Sequence, residues 1–377
     1  MNNKIWLSSP HMGGEELKFI NEAFNSNWIA PLGPNVTEFE NDIQSYLQED
    51  KQVAALSSGT AAIHLALVML GVSQGDEVLC QSMTFSASAY PIVYQGATPI
   101  FIDSEPDTWN MCPEQLEIAI KDRIKKGKKP KAIILVHLYG MPCKIDDILK
   151  LSSTYDIPVI EDAAEALGSS YKKKKCGSFG MYAALSFNGN KIITTSGGGA
   201  LVTTDPQTKT KAVFLATQAR DDAPHYQHSH IGYNYRMSNI LAGIGRGQMQ
   251  ILDEHINLRR ANQKFYCNLF QKFDGIEVFK EPSQDYFSNH WLTCITVDKK
   301  KAGISREQIR LKLLEQNIES RPLWKPMHLQ PVFKDAPYFG KKVSETLFDN
   351  GLCLPSGSNL TDEDRARITK ALKLLLN

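Results

Sequence analysis

Short apolar runs alternate with segments of helical periodicity between residues 50 and 205. Short apolar runs predict strands, and apolar residues at helical spacing predict the helices between them. The predicted strands are 53–56, 77–80, 99–103, 131–137 and 158–162, and the predicted helices are 61–70, 86–94, 113–121 and 145–155. Short buried strands between helices are typical of a mostly parallel sheet with helices on both faces. The pattern therefore predicts an α/β fold.

The pattern changes after residue 238, where a long segment of helical periodicity begins. The predicted elements beyond it are strands at 290–297, 318–321 and 351–354, and helices at 306–316 and from Thr361. Because 377 residues are too many for one small core, we expect two domains. The predicted division is an N-terminal arm with a large domain at 1–245 and a small α+β domain at 246–377.

Composition narrows the class of protein. The chain is 42% hydrophobic and 22% charged with a net charge of +1, so bulk electrostatics give no reason to expect nucleic acid as a partner. No apolar run is long enough to span a bilayer and no signal peptide is evident, so we expect no membrane partner. Seven widely spaced cysteines favour free thiols in a reducing cytoplasm. The sequence contains no CxxC and no HExxH motif, so we expect no metal site.

A single lysine, Lys191, lies in a turn of small and polar residues between the apolar runs 183–187 and 200–202. The runs predict a hairpin, and most lysines on hairpins are solvated. Packing against strands would instead desolvate the amine, lower its pKa and make it a usable nucleophile. The turn by itself favours the solvated lysine.

Other candidate residues follow predicted strands. Gly59 and Thr60 open a helix and suit either an anion or a simple helix cap. Asp162 ends a buried strand, where it caps the next helix or pairs with a cationic ring nitrogen. Phe85 is either a core residue or an aromatic that stacks on a flat ligand.

Ligands of such sheets bind at the carboxyl ends of the strands, which also places Asp103 and His137 among the candidates. A helix start for a phosphate, an aromatic face, a carboxylate for a ring nitrogen and a lysine for an aldehyde are the contacts that pyridoxal 5'-phosphate needs. Thr60, Phe85, Asp162 and Lys191 supply these four contacts in chain order. Together they predict a pyridoxal phosphate site.

Over nearly its whole length the chain resembles the DegT/DnrJ/EryC1/StrS sugar aminotransferases of fold-type I. The stretches that carry the resemblance are 10–14, 28–33, 58–67, 161–168, 186–191, 232–239 and 321–328. Within that family, FNGNKIITTSGGG, GYNYRMSN, RPLWKPMH and CLPSG are similar to bacterial enzymes that aminate C4 of a UDP-linked 4-keto-6-deoxy-N-acetylglucosamine on the route to sugars such as bacillosamine.

The resemblance implies a role for each matching residue. Lys191 would form a Schiff base with the cofactor, and Asp162 would pair with its pyridine nitrogen. The other implied cofactor contacts are Phe85 on the ring, Gly59, Thr60 and Ser186 on the phosphate, Asn234 on the partner subunit's phosphate, and Glu165 beside the hydroxyl, where many relatives carry histidine or glutamine. The implied substrate contacts are Trp28, Ile29, Ala30, Asn188, Trp324, Lys325 and His328.

The implied activity is transfer of the amino group of L-glutamate to the sugar, giving UDP-4-amino-4,6-dideoxy-N-acetylglucosamine, in a homodimer with shared active sites. A dTDP- or GDP-linked sugar with an axial product amine is an alternative. More remote alternatives are a non-catalytic homologue and a pyridoxal phosphate-dependent sugar dehydratase. The dehydratases carry histidine at the position of Lys191, which argues against that assignment.

Overall fold

A computed structural model describes residues 3–47 and 50–376. Its helices are α1 (Glu16–Asn25), α2 (Pro34–Leu47), α3 (Gly59–Met69), α4 (Tyr90–Tyr94), α5 (Pro113–Lys125), α6 (Ile145–Tyr155), α7 (Pro206–Ala216), α8 (Asn239–Met249), α9 (Leu252–Phe270), α10 (Lys299–Ala302), α11 (Arg306–Glu315), α12 (Val343–Asn350) and α13 (Asp362–Leu376). Its strands are β1 (Gln52–Leu56), β2 (Glu77–Gln81), β3 (Thr98–Ile102), β4 (Ala132–Val136), β5 (Val159–Asp162), β6 (Ser170–Tyr171), β7 (Lys174–Lys175), β8 (Tyr182–Ser186), β9 (Gly199–Thr203), β10 (Ile276–Val278), β11 (Tyr286–Phe287), β12 (Thr293–Val297), β13 (Arg321–Pro322), β14 (Tyr338–Phe339) and β15 (Gly351–Leu354).

The main sheet has eight strands in the order β1-β9-β8-β5-β4-β2-β3-β14. Neighbours from β8 to β14 run parallel, whereas β9 is antiparallel to both β1 and β8. The predicted α/β fold with a mostly parallel sheet is therefore confirmed. So is the predicted hairpin, because β8 and β9 pair on either side of the Lys191 turn.

Successive residues of each central strand pack into different hydrophobic clusters. Val78 and Cys80 of β2 belong to one cluster and Leu79 to another, and in β4 Ile134 is separated in the same way from Ile133. Side chains alternate across a sheet, so both faces of these strands are buried. This explains why their sequences are continuous apolar runs.

A second sheet has the order β10-β12-β15-β13 with antiparallel neighbours. Its hydrophobic cluster includes Tyr266 of α9, Leu313 of α11 and Leu372 of α13. The same third of the chain also contributes β14 to the edge of the main sheet beside β3. The predicted boundary at residue 245 falls within α8, and the division into two domains stays a prediction.

Several element predictions differ from the structure. The segment 86–94 is a 3-10 turn followed by α4, in which Pro91 occupies the first turn, the part of a helix that tolerates a missing N–H. The long helix after residue 238 is divided into α8 and α9. The sequence pattern missed α1, although its buried Glu16, Phe19 and Ala23 have helical spacing. No helix within residues 3–47 and 50–376 combines the length and apolar character needed to cross a membrane.

Candidate active site

The carboxyl ends of the central strands and the start of α3 enclose a cavity of about 790 Å³. Most of the residues predicted from the sequence line it. They are Gly59, Thr60, Phe85, Asp162, Glu165, Ser186, Asn188, Lys191, Trp324 and Lys325. The structure therefore brings the predicted cofactor contacts other than Asn234, and part of the predicted substrate contacts, to one place.

Lys191 lies in the loop between β8 and β9, and its side chain is 11% exposed. Its Nζ is 3.3 Å from Glu165 Oε1 and 4.2 Å from the centre of the Trp291 ring. A carboxylate and an aromatic face thus hold the amine from two directions. The interpretation of Lys191 as a solvated hairpin lysine is wrong.

Glu165 is the carboxylate that contacts this lysine. Its Oε2 accepts a hydrogen bond of 2.7 Å from the backbone N–H of Tyr139. Burial raises the pKa of Glu165 to about 7, and the charge of Asp162 acts in the same direction. Lys191 and the Tyr139 N–H oppose this rise in the pKa without cancelling it.

Asp162 ends β5 and is 5% exposed. Its Oδ2 accepts a hydrogen bond of 2.5 Å from Ser88 Oγ, and its Oδ1 accepts one of 3.2 Å from the Ala164 N–H. Across the part of the chain that the structure describes, Asp162 forms no ion pair. A buried carboxylate that lines a cavity without a cationic partner suits a ligand that brings its own positive charge.

The start of α3 closes another wall of the cavity. Ser58 is the helix cap, and its Oγ accepts a hydrogen bond of 3.0 Å from the Ala61 N–H. A Cβ at Gly59 would lie 3.2 Å from the Leu185 carbonyl oxygen, and one at Gly199 would lie 2.3 Å from the Gly59 nitrogen. Glycine at these two positions lets the β8–β9 hairpin pack directly against the helix start. The residue that caps α3 is therefore Ser58, and Gly59 and Thr60 line the cavity.

Phe85 is 56% exposed beside the cavity, so the interpretation of Phe85 as a core residue is wrong. Its ring lies 5.6 Å from that of Trp324, at an angle of 48°. An exposed aromatic pair at a cavity offers flat apolar surface to a planar ligand. Lys325 and Arg321 also line the cavity and bring positive charge to the same side.

Five predicted contacts lie outside the lining of this cavity, and their roles stay predictions. Trp28, Ile29 and Ala30 lie before α2, where the first two are 41% and 47% exposed. Asn234 forms an isolated bridge with Thr217. His328 stacks on Tyr338 and makes a 2.7 Å hydrogen bond with Ser82 Oγ through Nδ1.

Two other residues at strand ends have structural partners. Asp103 accepts hydrogen bonds from the backbone N–H groups of Lys341, Val343 and Ser344 and so holds the start of α12. His137 is fully buried, and its Nε2 lies 2.9 Å from Glu161 Oε2. The rule that selected the cavity residues therefore also selected residues that stabilise the fold.

Trp291 and Tyr139 line or support the site and were missed from the sequence. Trp291 begins a segment that reads only as an apolar strand. Tyr139 has a φ of +55°, a conformation that costs energy for a residue with a side chain. Its place just after β4 was the signal that could have identified it, because the same rule selected His137.

The model of the DegT/DnrJ/EryC1/StrS aminotransferase family matches residues 10–373. The chain belongs to this family. It is 52% identical over 376 residues to EpsN of Bacillus subtilis (strain 168), provisionally named a pyridoxal phosphate-dependent aminotransferase, with 99% of this chain and 96% of that protein covered. It is 38% identical over 370 residues to GDP-perosamine synthase of Escherichia coli O157:H7, covering 98% of this chain and 97% of that protein.

A solved structure is similar over nearly the same extent. Spr1654 of Streptococcus pneumoniae, provisionally named a sugar aminotransferase, in its PLP form has a TM-score of 0.88 at 26% identity, with 99% of this chain and 98% of that chain covered. This member of the DegT/DnrJ/EryC1/StrS family is thus a pyridoxal phosphate-dependent aminotransferase. The cavity fits that cofactor, because Asp162, Lys191, Phe85 and the α3 start offer the chemistry it requires.

Proposed function

We propose that this aminotransferase transfers the amino group of L-glutamate to C4 of a UDP-linked 4-keto-6-deoxy-N-acetylhexosamine, giving UDP-4-amino-4,6-dideoxy-N-acetylglucosamine. The observation that carries the proposed chemistry is the meeting of Lys191, Asp162 and the start of α3 in one cavity, where Asp162 has no ion-pair partner among the described residues. The choice of a UDP-linked acetamido sugar is supported by the resemblance of stretches such as FNGNKIITTSGGG and RPLWKPMH to the bacillosamine-type enzymes.

When bound, pyridoxal phosphate supplies an aldehyde that takes up amino groups and a ring that stores an electron pair. Asp162 would hold the ring nitrogen in its charged form, and Gly59, Thr60 and Ser186 would hold the phosphate. Phe85 would cover one face of the ring. Lys191 would anchor the cofactor.

The amine of Lys191 is also the proposed proton carrier. Its Nζ would take a proton from the α-carbon of glutamate as a general base and, as a general acid, would pass that proton to C4′ of the cofactor. Glu165, 3.3 Å away with a pKa of about 7, has access to both protonation states near neutral pH. It can therefore balance the charge of the amine in either step.

The cavity offers a polar rim for the nucleotide sugar. Arg321 and Lys325 line it, and both suit the diphosphate of a nucleotide sugar. The Arg321 guanidinium is exposed and pairs with Glu319 at 2.8 Å. We propose Asn188 and Trp324 as further substrate contacts from the same chain.

The proposed active form is a homodimer. Trp28 and Ile29 are large apolar residues that are exposed in the single chain, as are Tyr226 and Ile231 near Asn234. Such exposed apolar groups are common at protein interfaces. We propose that a second copy covers these groups and that Trp28, Ile29, Ala30 and Asn234 contribute to the cavity of that partner. His328 remains a proposed contact of its own chain.

A GDP-linked 4-keto-6-deoxy sugar is the second candidate, favoured by the 38% identity to GDP-perosamine synthase. Incubation of the loaded enzyme and L-glutamate with UDP-, GDP- and dTDP-linked 4-keto-6-deoxy sugars tests the choice. We expect turnover of the UDP-linked acetamido sugar with an equatorial C4 amine in the product, read by NMR. Preferential turnover of the GDP- or dTDP-linked sugar would contradict the proposal.

A further inference from the structure

Trp291 is a buried tryptophan at the wall of the cavity. It lies just before β12 and is 2% exposed. The centre of its ring lies 4.2 Å from Lys191 Nζ, so the indole face is in contact with the lysine amine. A cation at this distance is attracted by the negative face of the ring.

The edge of the same indole is fixed to the lysine turn. Trp291 Nε1–H donates a hydrogen bond of 2.7 Å to the carbonyl of Asn190, the residue just before Lys191. Ser8 Oγ donates a bond of 2.8 Å to the same carbonyl. The ring cannot slide away from the amine without losing its bond to the turn. One side chain thus contacts both the backbone and the amine of the lysine segment.

Hydrogen bonds link the backbone of Trp291 to the segments that carry Glu165 and Lys191. Its N–H donates to Asn289 Oδ1 at 2.9 Å, and Asn289 Nδ2 donates to the Glu165 carbonyl at 2.9 Å. Its carbonyl accepts a bond of 2.6 Å from the buried Arg259, which also donates to the Lys191 carbonyl at 3.4 Å. These bonds couple the positions of the indole, the carboxylate and the lysine.

We propose that Trp291 is a positioning residue that holds the free amine of Lys191 between its indole face and the Glu165 carboxylate. The inference rests on the proposed role of Lys191. A free lysine has four methylenes and many rotamers, so a fixed position saves entropy when the proton must move. The indole face supplies that position during the part of the reaction in which the amine is not bonded to the cofactor.

A role in packing alone makes a different prediction. Trp291 belongs to a buried hydrophobic cluster that also contains Trp109. Trp109 stacks on Phe279 with the ring centres 3.8 Å apart, and it lies outside the residues that line the cavity. If Trp291 only fills volume, its substitution lowers the melting temperature without changing the geometry of the amine. Trp109→Phe is therefore the matched control.

The experiment compares Trp291→Leu, Trp291→Phe and Trp109→Phe in the loaded enzyme. It measures the visible circular dichroism of the bound cofactor, the single-turnover rate with L-glutamate and the melting temperature. We expect Trp291→Leu to slow the single turnover roughly ten-fold, because the free amine loses its aromatic face. We also expect it to weaken the visible band, because the lysine turn loses the indole bond to Asn190. Trp291→Phe keeps a ring but loses the bond to Asn190, so about a three-fold loss is expected. Trp109→Phe should change neither spectrum nor rate.

An unchanged band and an unchanged rate in Trp291→Phe would overturn the proposal, even if Trp291→Leu does not fold. Equal losses of rate in Trp291→Phe and Trp109→Phe would overturn it as well, since packing would then explain both. The proposed function is tested separately by Lys191→Ala. Full turnover in that variant would refute the role of the lysine, whereas an inactive Lys191→Ala with a normal Trp291→Phe would refute only the role of the indole.

Discussion

Glu161 and Glu165 lie four positions apart in the chain, and both are buried, but they face different surroundings. Glu161 accepts hydrogen bonds from the N–H groups of Gly177, Phe179 and Gly180 at 2.7, 2.5 and 2.8 Å. His137 adds a fourth contact at 2.9 Å. Burial raises the pKa of Glu161, but His137 and the backbone donors outweigh it, so the pKa lies below its ordinary value.

Glu165 has fewer donors at a similar depth. In the described part of the chain, its carboxylate is bonded by the Tyr139 N–H and by Lys191, and its pKa is about 7. Depth of burial alone therefore does not set the pKa of these two carboxyls, because the hydrogen-bond donors and charges around each one also contribute. Glu161, which has more donors, ties together the backbone of residues 177–180, whereas Glu165 lines the cavity beside Lys191.

Asp162→Asn gives the largest effect expected on the cavity side. Asparagine keeps an oxygen for Ser88 but cannot neutralise a cationic ring nitrogen, so we expect kcat to fall roughly 10³-fold. The melting temperature should change little. Retention of a tenth of the activity would contradict the assignment of Asp162.

Glu161→Gln gives the largest effect expected on the structural side. The glutamine amide would face backbone N–H donors, and a buried charged contact with His137 would be lost. We expect the free energy of unfolding to fall by about 3–5 kcal/mol, measured by urea denaturation. The activity of the molecules that remain folded should be close to that of the unchanged protein, and an unchanged stability would refute the contrast.

The stability of the protein should depend on pH through Glu165 in the opposite direction from its dependence through Glu161. Its pKa is about 7 in the folded chain against an ordinary value of 4.5, so the folded state retains a proton that the unfolded state loses. The free energy of unfolding should fall as the pH rises from about 4.5 to 7, by an amount on the order of 2–3 kcal/mol. Glu161, whose pKa is lowered, instead loses its stabilisation as the pH falls below about 4.5.

Glu165→Gln should abolish the decrease in stability between pH 4.5 and 7 in the cofactor-free chain. It should also lower kcat roughly ten-fold, because the partner of the Lys191 amine no longer changes charge. Urea titrations at several pH values provide the measurement. A slope that persists in the variant would show that another group is responsible.

Phe85→Leu gives the smallest expected effect. Phe85 is exposed beside the cavity, so its loss should not destabilise the chain, but the dissociation constant of pyridoxal phosphate should rise about five-fold. Phe187→Leu is the matched control, since Phe187 is fully buried. That control should lower the melting temperature instead. Equal cofactor affinity in both variants would contradict the stacking role.

The sequence predicted the sheet and the cofactor side of the cavity because both depend on local patterns. Apolar runs mark β2, β4 and β5, and the residues just after strand ends include Asp162. The same rule could not separate Asp162 from His137, since the strand end alone does not reveal on which side the chain turns. That distinction depends on tertiary contacts such as the Glu161 bonds to residues 177–180.

The other wall of the cavity could not be predicted in this way. Trp291 reaches Lys191 from a segment 100 positions further along the chain, and Ser8 reaches the turn from near the N-terminus. Neither residue lies in a local pattern that indicates a site. Contacts across such distances in sequence depend on how the second sheet packs against the first.

Replacement of Lys191 tests the central claim most directly. Wild type, Lys191→Ala and the control Lys175→Ala, whose lysine packs on Tyr46 away from the cavity, would be incubated with pyridoxal phosphate and reduced with borohydride. Intact mass reports the covalent adduct, and turnover is measured with L-glutamate and the keto sugar. We predict that wild type and Lys175→Ala retain both, whereas Lys191→Ala loses the adduct and at least roughly 10³-fold of the turnover. A Lys191→Ala variant that retained the adduct and full turnover would contradict the account.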